Sequence, residues 1–254
     1  MNVLGRNTLV ITDVTRMKGN YVCIAGYDDS LVCVRPDLSA GQLEKKHLFR
    51  DERLVVHPGA RVSMNILCHR PRPPHVEDYV FDNGSIEYLG NVTVTEWEEI
   101  LRLSARETFA SVFPDMQGKA VPRGSPGPSL GTLVVDGQSL SISRTESTSN
   151  SVSMKLNITD RAGELKENVP ITDLVFLNFL NEEFNIFKRD WRKTIAFVEG
   201  KLNKGQMYLR LGLSHPFSPQ GDNNMRCWLM VTGVHTFPDL HGGDYAKRIK
   251  LEQA

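Results

Sequence analysis

The chain has 254 residues, 40% of them apolar and 24% charged, and its 30 basic residues balance 30 acidic ones. These figures exclude a disordered or fibrous chain, and a formal charge of zero excludes a polybasic coat for nucleic acid while leaving room for a local basic face. The length accommodates one large core or two small ones.

The first ninety residues read as strands. NTLVITDVTRM, GNYVCIAGYD and SLVCVRPD are short β-branched runs separated by Gly, Asn and Asp, and the break at Asp28, Asp29 and Ser30 reads as a tight hairpin. ARVSMNILCH places Val62, Met64 and Ile66 on one face. The interruption RPRPPH cannot belong to a central strand, and beyond it EDYVFD and SIEYLGNV flank a turn signal at Asn83 and Gly84. Five or six short strands in sequence predict a small antiparallel barrel over residues 1–92.

Residues 93–128 are expected to hold a helix and a linker. Thr95 with Glu98 has capping-box spacing, and Trp97, Ile100, Leu101, Phe109, Val112 and Phe113 recur at helical intervals up to Pro114. Such a stripe reports burial against the barrels rather than a ligand box. QGKAVPRGSPGPS, from Gln117 to Ser129, is a Pro/Gly-rich linker.

A second β-rich unit with a helical insertion is expected over 129–254. Asp136 and Gly137 signal a hairpin inside GTLVVDGQSLSIS, SVSMKLNITD alternates cleanly, and ENVPITDL makes a further strand ending near Asp173. Val175 to Lys201 reads as one or two helices. YLRLGLSHPF and RCWLMVTGVHTFPDL then form two closing strands around a polar loop.

Cys23, Cys33, Cys68 and Cys227 lie in apolar strand contexts without CxxC spacing, which argues against a zinc ribbon and for reduced cysteines in a cytoplasmic setting. No metal or cofactor is implied. The sequence also lacks a signal-peptide pattern and any apolar run of membrane-span length, so no membrane partner is expected. Two stretches are locally basic, Lys45 to His75 and Lys188 to Arg210. Each is either a solvated face or a phosphate-tracking surface.

With VITDVTRM and YVCIAGYDDSLVCVRP in the first half, NVPITDL in the middle, and LRLGLSHPF with RCWLMVTGVHTFPDL at the end, the chain resembles the dual-OB-containing domain family, a group of prokaryotic proteins. The resemblance implies a mainly β protein with a few helices: two OB-like antiparallel β-barrels joined by a helix and a Pro/Gly-rich linker. By analogy of fold it also implies binding of single-stranded nucleic acid or a nucleotide. The family brings no catalytic residues.

Six residues are the candidate ligand contacts. Arg210 and Arg226 lie two residues from Tyr208 and Trp228, a spacing that puts guanidinium and aromatic groups on one strand face, suited to phosphates and bases. Trp228 also fits as a core anchor. His215 precedes a proline and is thereby held extended. Arg16 and Arg35 sit at strand ends in the first unit. The main alternatives are an enzyme acting on a nucleotide or modified base, using His215 with one of several aspartates, and an interaction module with protein partners. No Walker A, GxSxG, HExxH or GxGxxG motif supports catalysis, and Asp13, Asp173, His215, His235 and Asp239 form a carboxylate/imidazole cluster only if the two units meet face to face.

Overall fold

The computed structural model describes residues 4–38, 41–146, 152–219, 224–240, 243 and 245–250. Its first half contains β1 (Gly5–Arg16), β2 (Val22–Asp28), β3 (Cys33–Leu38), the two-residue β4 (Phe49–Arg50) and β5 (Arg53–Leu54), β6 (Ala60–His69), β7 (Asp78–Phe81) and β8 (Glu87–Asn91). β1 pairs with β2 on one side and β6 on the other, β2 with β3, β3 in parallel with β7, and β7 with β6. Five strands therefore close on themselves, which removes the exposed edges of an open sheet. Leu9, Ile11, Ile24, Val62, Met64 and Phe81 fill the interior.

The chain then forms α1 (Val94–Ser104), β9 (Ala105–Arg106), α2 (Phe109–Val112), β10 (Ala120–Pro122), β11 (Leu130–Asp136), β12 (Leu140–Glu146), β13 (Val152–Thr159) and β14 (Leu165–Pro170). After these come α3 (Leu174–Ile186), α4 (Trp191–Leu202), β15 (Gln206–Leu213), β16 (Arg226–Thr236) and α5 (Tyr245–Arg248). The sheet β10-β16-β15-β11-β9 and the sheet β12-β13-β14 meet through a bridge between Ile171 and Val231, giving a half-barrel. Leu133, Leu156, Ile158, Leu209 and Val231 form its core, roofed by Phe176, Phe179 and Val198 from α3 and α4. The protein is thus mainly β, with two OB-like barrels.

Three local expectations are revised. The cap of α1 is Thr93, whose hydroxyl accepts from the Glu96 amide at 3.1 Å, so the same Thr-x-x-Glu spacing acts two residues earlier than Thr95. The apolar stripe to Phe113 is not one helix: Ala105 and Arg106 leave it to pair with Thr132 and Leu133, and Thr108 caps the separate α2. Asp136 and Gly137 do not make a hairpin. β11 pairs with β15, and Gly137 lies where a Cβ would be 2.1 Å from the Leu202 carbonyl oxygen, so the glycine serves a close chain approach. The Pro/Gly-rich stretch contributes β10 to the second sheet, while α1 covers the seam with Trp97 and Leu101 against Val10, Val134 and Tyr208.

A candidate ligand cavity between the two barrels

Two β-bulges shape the junction. Along β1 the register with β2 shifts between Ile11 and Asp13, so Asp13 leaves the face of Leu9 and Ile11, which line the first core, and turns toward the second unit. Along β16 the register with β15 shifts between Val231 and Gly233, which frees Thr232. Asp13 there accepts from Arg210 Nε at 2.8 Å and from the hydroxyl of Thr232. Arg210 also donates to the Tyr27 hydroxyl and to Thr132 Oγ1 (3.0 Å), and its guanidinium stacks 4.8 Å from the Tyr27 ring centre. Burial works against the charge on Arg210, but Asp13, Tyr27 and Cys33 more than restore it, and its pKa stands well above the ordinary value.

A second polar tie joins Glu77, just before β7, to the start of β11. Its buried carboxylate accepts from the Ser129 amide and hydroxyl, both at 2.8 Å, and from the Leu130 amide at 3.0 Å. The carboxylate of Asp173 caps α3 through the amides of Val175 and Phe176 and also accepts from the Val234 amide.

Beside these ties lies a cavity of about 490 Å³ walled by both units. Arg16 and Lys18 stand at and beyond the end of β1, Arg35 on β3, Arg72 and His75 between β6 and β7, and His215 just after β15. Arg72 and His75 exchange backbone hydrogen bonds of 3.0 and 2.7 Å around two prolines, which holds both side chains at the cavity. Three carboxylates also line it, each engaged by an arginine: Asp13 by Arg210, Asp37 by Arg70 at 2.9 Å, and Asp78 by Arg35 at 2.6 Å. Among the described residues no carboxylate pairs with Arg16, Lys18 or Arg72, so the mouth carries positive charge. Deeper in, His75 is 2% exposed, and burial together with Arg35 pushes its pKa down to about 4. The His215 ring stands edge-on to it at 5.2 Å. Burial raises the thiol of Cys23, another wall residue, to about 11, which keeps it protonated.

Of the six candidate contacts, Arg16, Arg35 and His215 converge here. Arg210 is fully buried behind the wall instead of facing solvent, because β15 is covered on both sides: Leu209 and Leu211 face the second core, Tyr208 and Arg210 the first barrel. Arg226 and Trp228 lie elsewhere. Arg226 pairs with Phe217 and Pro122, and the Trp228 indole donates to the Phe217 carbonyl at 3.2 Å while packing 5.8 Å from its ring. The carboxylate/imidazole cluster does not assemble either. Asp13 and His215 share the cavity, but Asp173 caps a helix, His235 packs edge-on against Trp97, and Asp239 accepts from the Gly243 amide. Sequence reading did not single out Lys18, His75 or Asp78, and took Arg72 only as part of the basic stretch Lys45 to His75. The signal for Arg72, His75 and Asp78 lies in RPRPPHVED, where prolines stiffen a loop dense in charged and imidazole groups.

A closed five-stranded barrel fused to a half-barrel, with a cationic cavity at their junction, defines a two-barrel OB-type protein. The family model for the dual OB-containing domain matches residues 7–234, and the chain belongs to that family. No curated protein matches it.

Proposed function

We propose that this protein binds nucleic acid or a nucleotide-like ligand in the inter-barrel cavity, with Arg16, Lys18, Arg35, Arg72, His75 and His215 as the contacting groups. The observation that carries the reading is the convergence of these six side chains, from both barrels, on one concave space. Its volume falls in the usual range for small-ligand pockets, roughly 300–1,000 Å³. Guanidinium and ammonium groups at the mouth suit phosphate oxygens, and the exposed His215 imidazole offers a planar face on which an unstacked base can rest. OB-type barrels commonly serve such ligands.

Binding of labelled single-stranded DNA, single-stranded RNA and duplex across a salt series tests the reading. Replacing Arg16, Lys18 and Arg72 together by alanine is expected to weaken binding at low salt and to reduce the slope of log affinity against log salt by about 2, at about 0.7 per phosphate contact on a single strand. Replacing Arg226 and Trp228 is expected to change neither. Absence of binding at low salt, or an unaltered slope in the triple variant, would sink the reading.

A further inference from the structure

We infer that the deep end of this cavity is a seat for a terminal phosphomonoester, as carried by a free nucleotide or by a phosphorylated strand end, and not for the internal phosphodiester of a continuous strand. The inference rests on the binding reading above and specifies which part of the ligand lies deepest.

Two buried polar atoms on the cavity wall residues lack partners: Nη2 of Arg35 and Nδ1 of His75. Buried polar groups are nearly always satisfied, and an orphan costs about 1–3 kcal/mol, so two on neighbouring wall residues mark a place for a ligand. Arg35 is set for the task. Its side chain is only 12% exposed, and Asp78 holds Nε at 2.6 Å, which fixes the plane of the guanidinium and leaves the far nitrogen to an outside acceptor. His75 has Cys227 Sγ 4.0 Å from Nε2, and its Nδ1 makes no hydrogen bond of good geometry, although the Ser214 backbone acts on the ring.

The two orphans ask for different things. A guanidinium nitrogen only donates and needs an anionic oxygen. A neutral imidazole carries one proton and one lone pair, and His75 is neutral near pH 7 because burial and Arg35 disfavour its charge. A phosphomonoester supplies both needs. It has three acceptor oxygens and a second ionisation near pH 6, so one proton can rest on the phosphate or on Nδ1 while the remaining oxygens meet Arg35. An internal phosphodiester can also accept from both groups, since the neutral ring can carry its proton on Nδ1, but it brings two free oxygens and one charge, against three oxygens and nearly two charges on a monoester, to Arg35 and the cations at the mouth.

The test compares one fluorescent single-stranded oligonucleotide in three forms, with a 5′-phosphate, with a 3′-phosphate, or with hydroxyls at both ends, and uses a nucleoside monophosphate as competitor. At least one phosphorylated form is expected to bind ten-fold or more tightly than the hydroxyl form, and the monophosphate is expected to displace it. Displacement by the monophosphate without any preference between the oligonucleotides assigns the seat to the free nucleotide. Arg35→Lys, which keeps a cation beside Asp78, and His75→Phe should each erase the preference; circular dichroism confirms that they fold, and the wild-type comparison decides alone if they do not. Equal binding of all three oligonucleotides without displacement overturns the phosphate seat and leaves the strand-binding reading standing. If nothing binds at low salt, both fall.

Discussion

Among the described residues Arg210 is the largest side chain buried completely, and its charge is tolerable chiefly because Asp13 stands against it. Removing either partner strands the other charge in a low-dielectric junction, a loss of about 3–5 kcal/mol in comparable buried pairs, whereas an apolar replacement of both is often neutral. Arg210→Met and Asp13→Asn are therefore each expected to lower the urea midpoint strongly, and Asp13→Leu combined with Arg210→Met to recover much of the loss. Additive losses in the double variant would show that the pair is not coupled. His75 predicts a pH effect of definite sign. Its pKa is near 4 in the folded protein and about 6.5 when unfolded, so the unfolded chain binds the proton first. Its contribution is complete above about pH 6.5 and is lost as pH falls toward 4. Asp173 runs the other way, since burial lifts it to about 7 and stability is gained as pH falls through the window from there toward its ordinary value of 3.8. The two partly cancel in the native protein, so the measurable quantity is a difference: denaturant midpoints of His75→Phe should fall less than those of wild type between pH 6.5 and 4.5. Residue types at the junction were legible as functional candidates, but their roles were not. Arg210 looked like a ligand contact because alternation assigns one face of a strand to solvent, and nothing local announces that a second barrel covers that face.

At the level of elements, the strands and helices were largely recoverable from β-branched runs and helical spacing, and the departures have local causes. Thr93 and Thr95 offer competing caps two residues apart, and Ala105 with Arg106 abandons helix because β11 provides a pairing edge. The bulges were invisible, since an extra residue in a strand leaves no mark in its apolar pattern beyond a slipped alternation at Thr12 and Thr232. Gly233 follows the second bulge, and a Cβ there would stand 2.7 Å from His235 Nε2 and 3.1 Å from the Arg210 Cβ. Gly233→Ala is expected to cost about 1–3 kcal/mol by overpacking, read as a lower thermal midpoint. A midpoint equal to wild type would mean that His235 and Arg210 can move aside freely.

At the scale of the whole molecule, the two-barrel architecture was legible from strand counting and from the family resemblance, and a 228-residue span of the chain matches that family. The cavity was not legible, because its walls come from places as distant as Arg16, His75 and His215, and only tertiary docking brings them together. The tie between Asp13 and Thr232 spans 219 positions in sequence. A contact of such separation carries one of the larger loop-closure costs in the fold. The cavity wall therefore depends on both ends of the chain, and under the binding reading proposed above ligand affinity reports whether β1 and β16 are both in place. A chain truncated before β16 would lose Met230 and Thr232 from the cavity wall and, with them, Tyr245 and Ile249 from the core of the first barrel, so the damage would reach both sides of the junction.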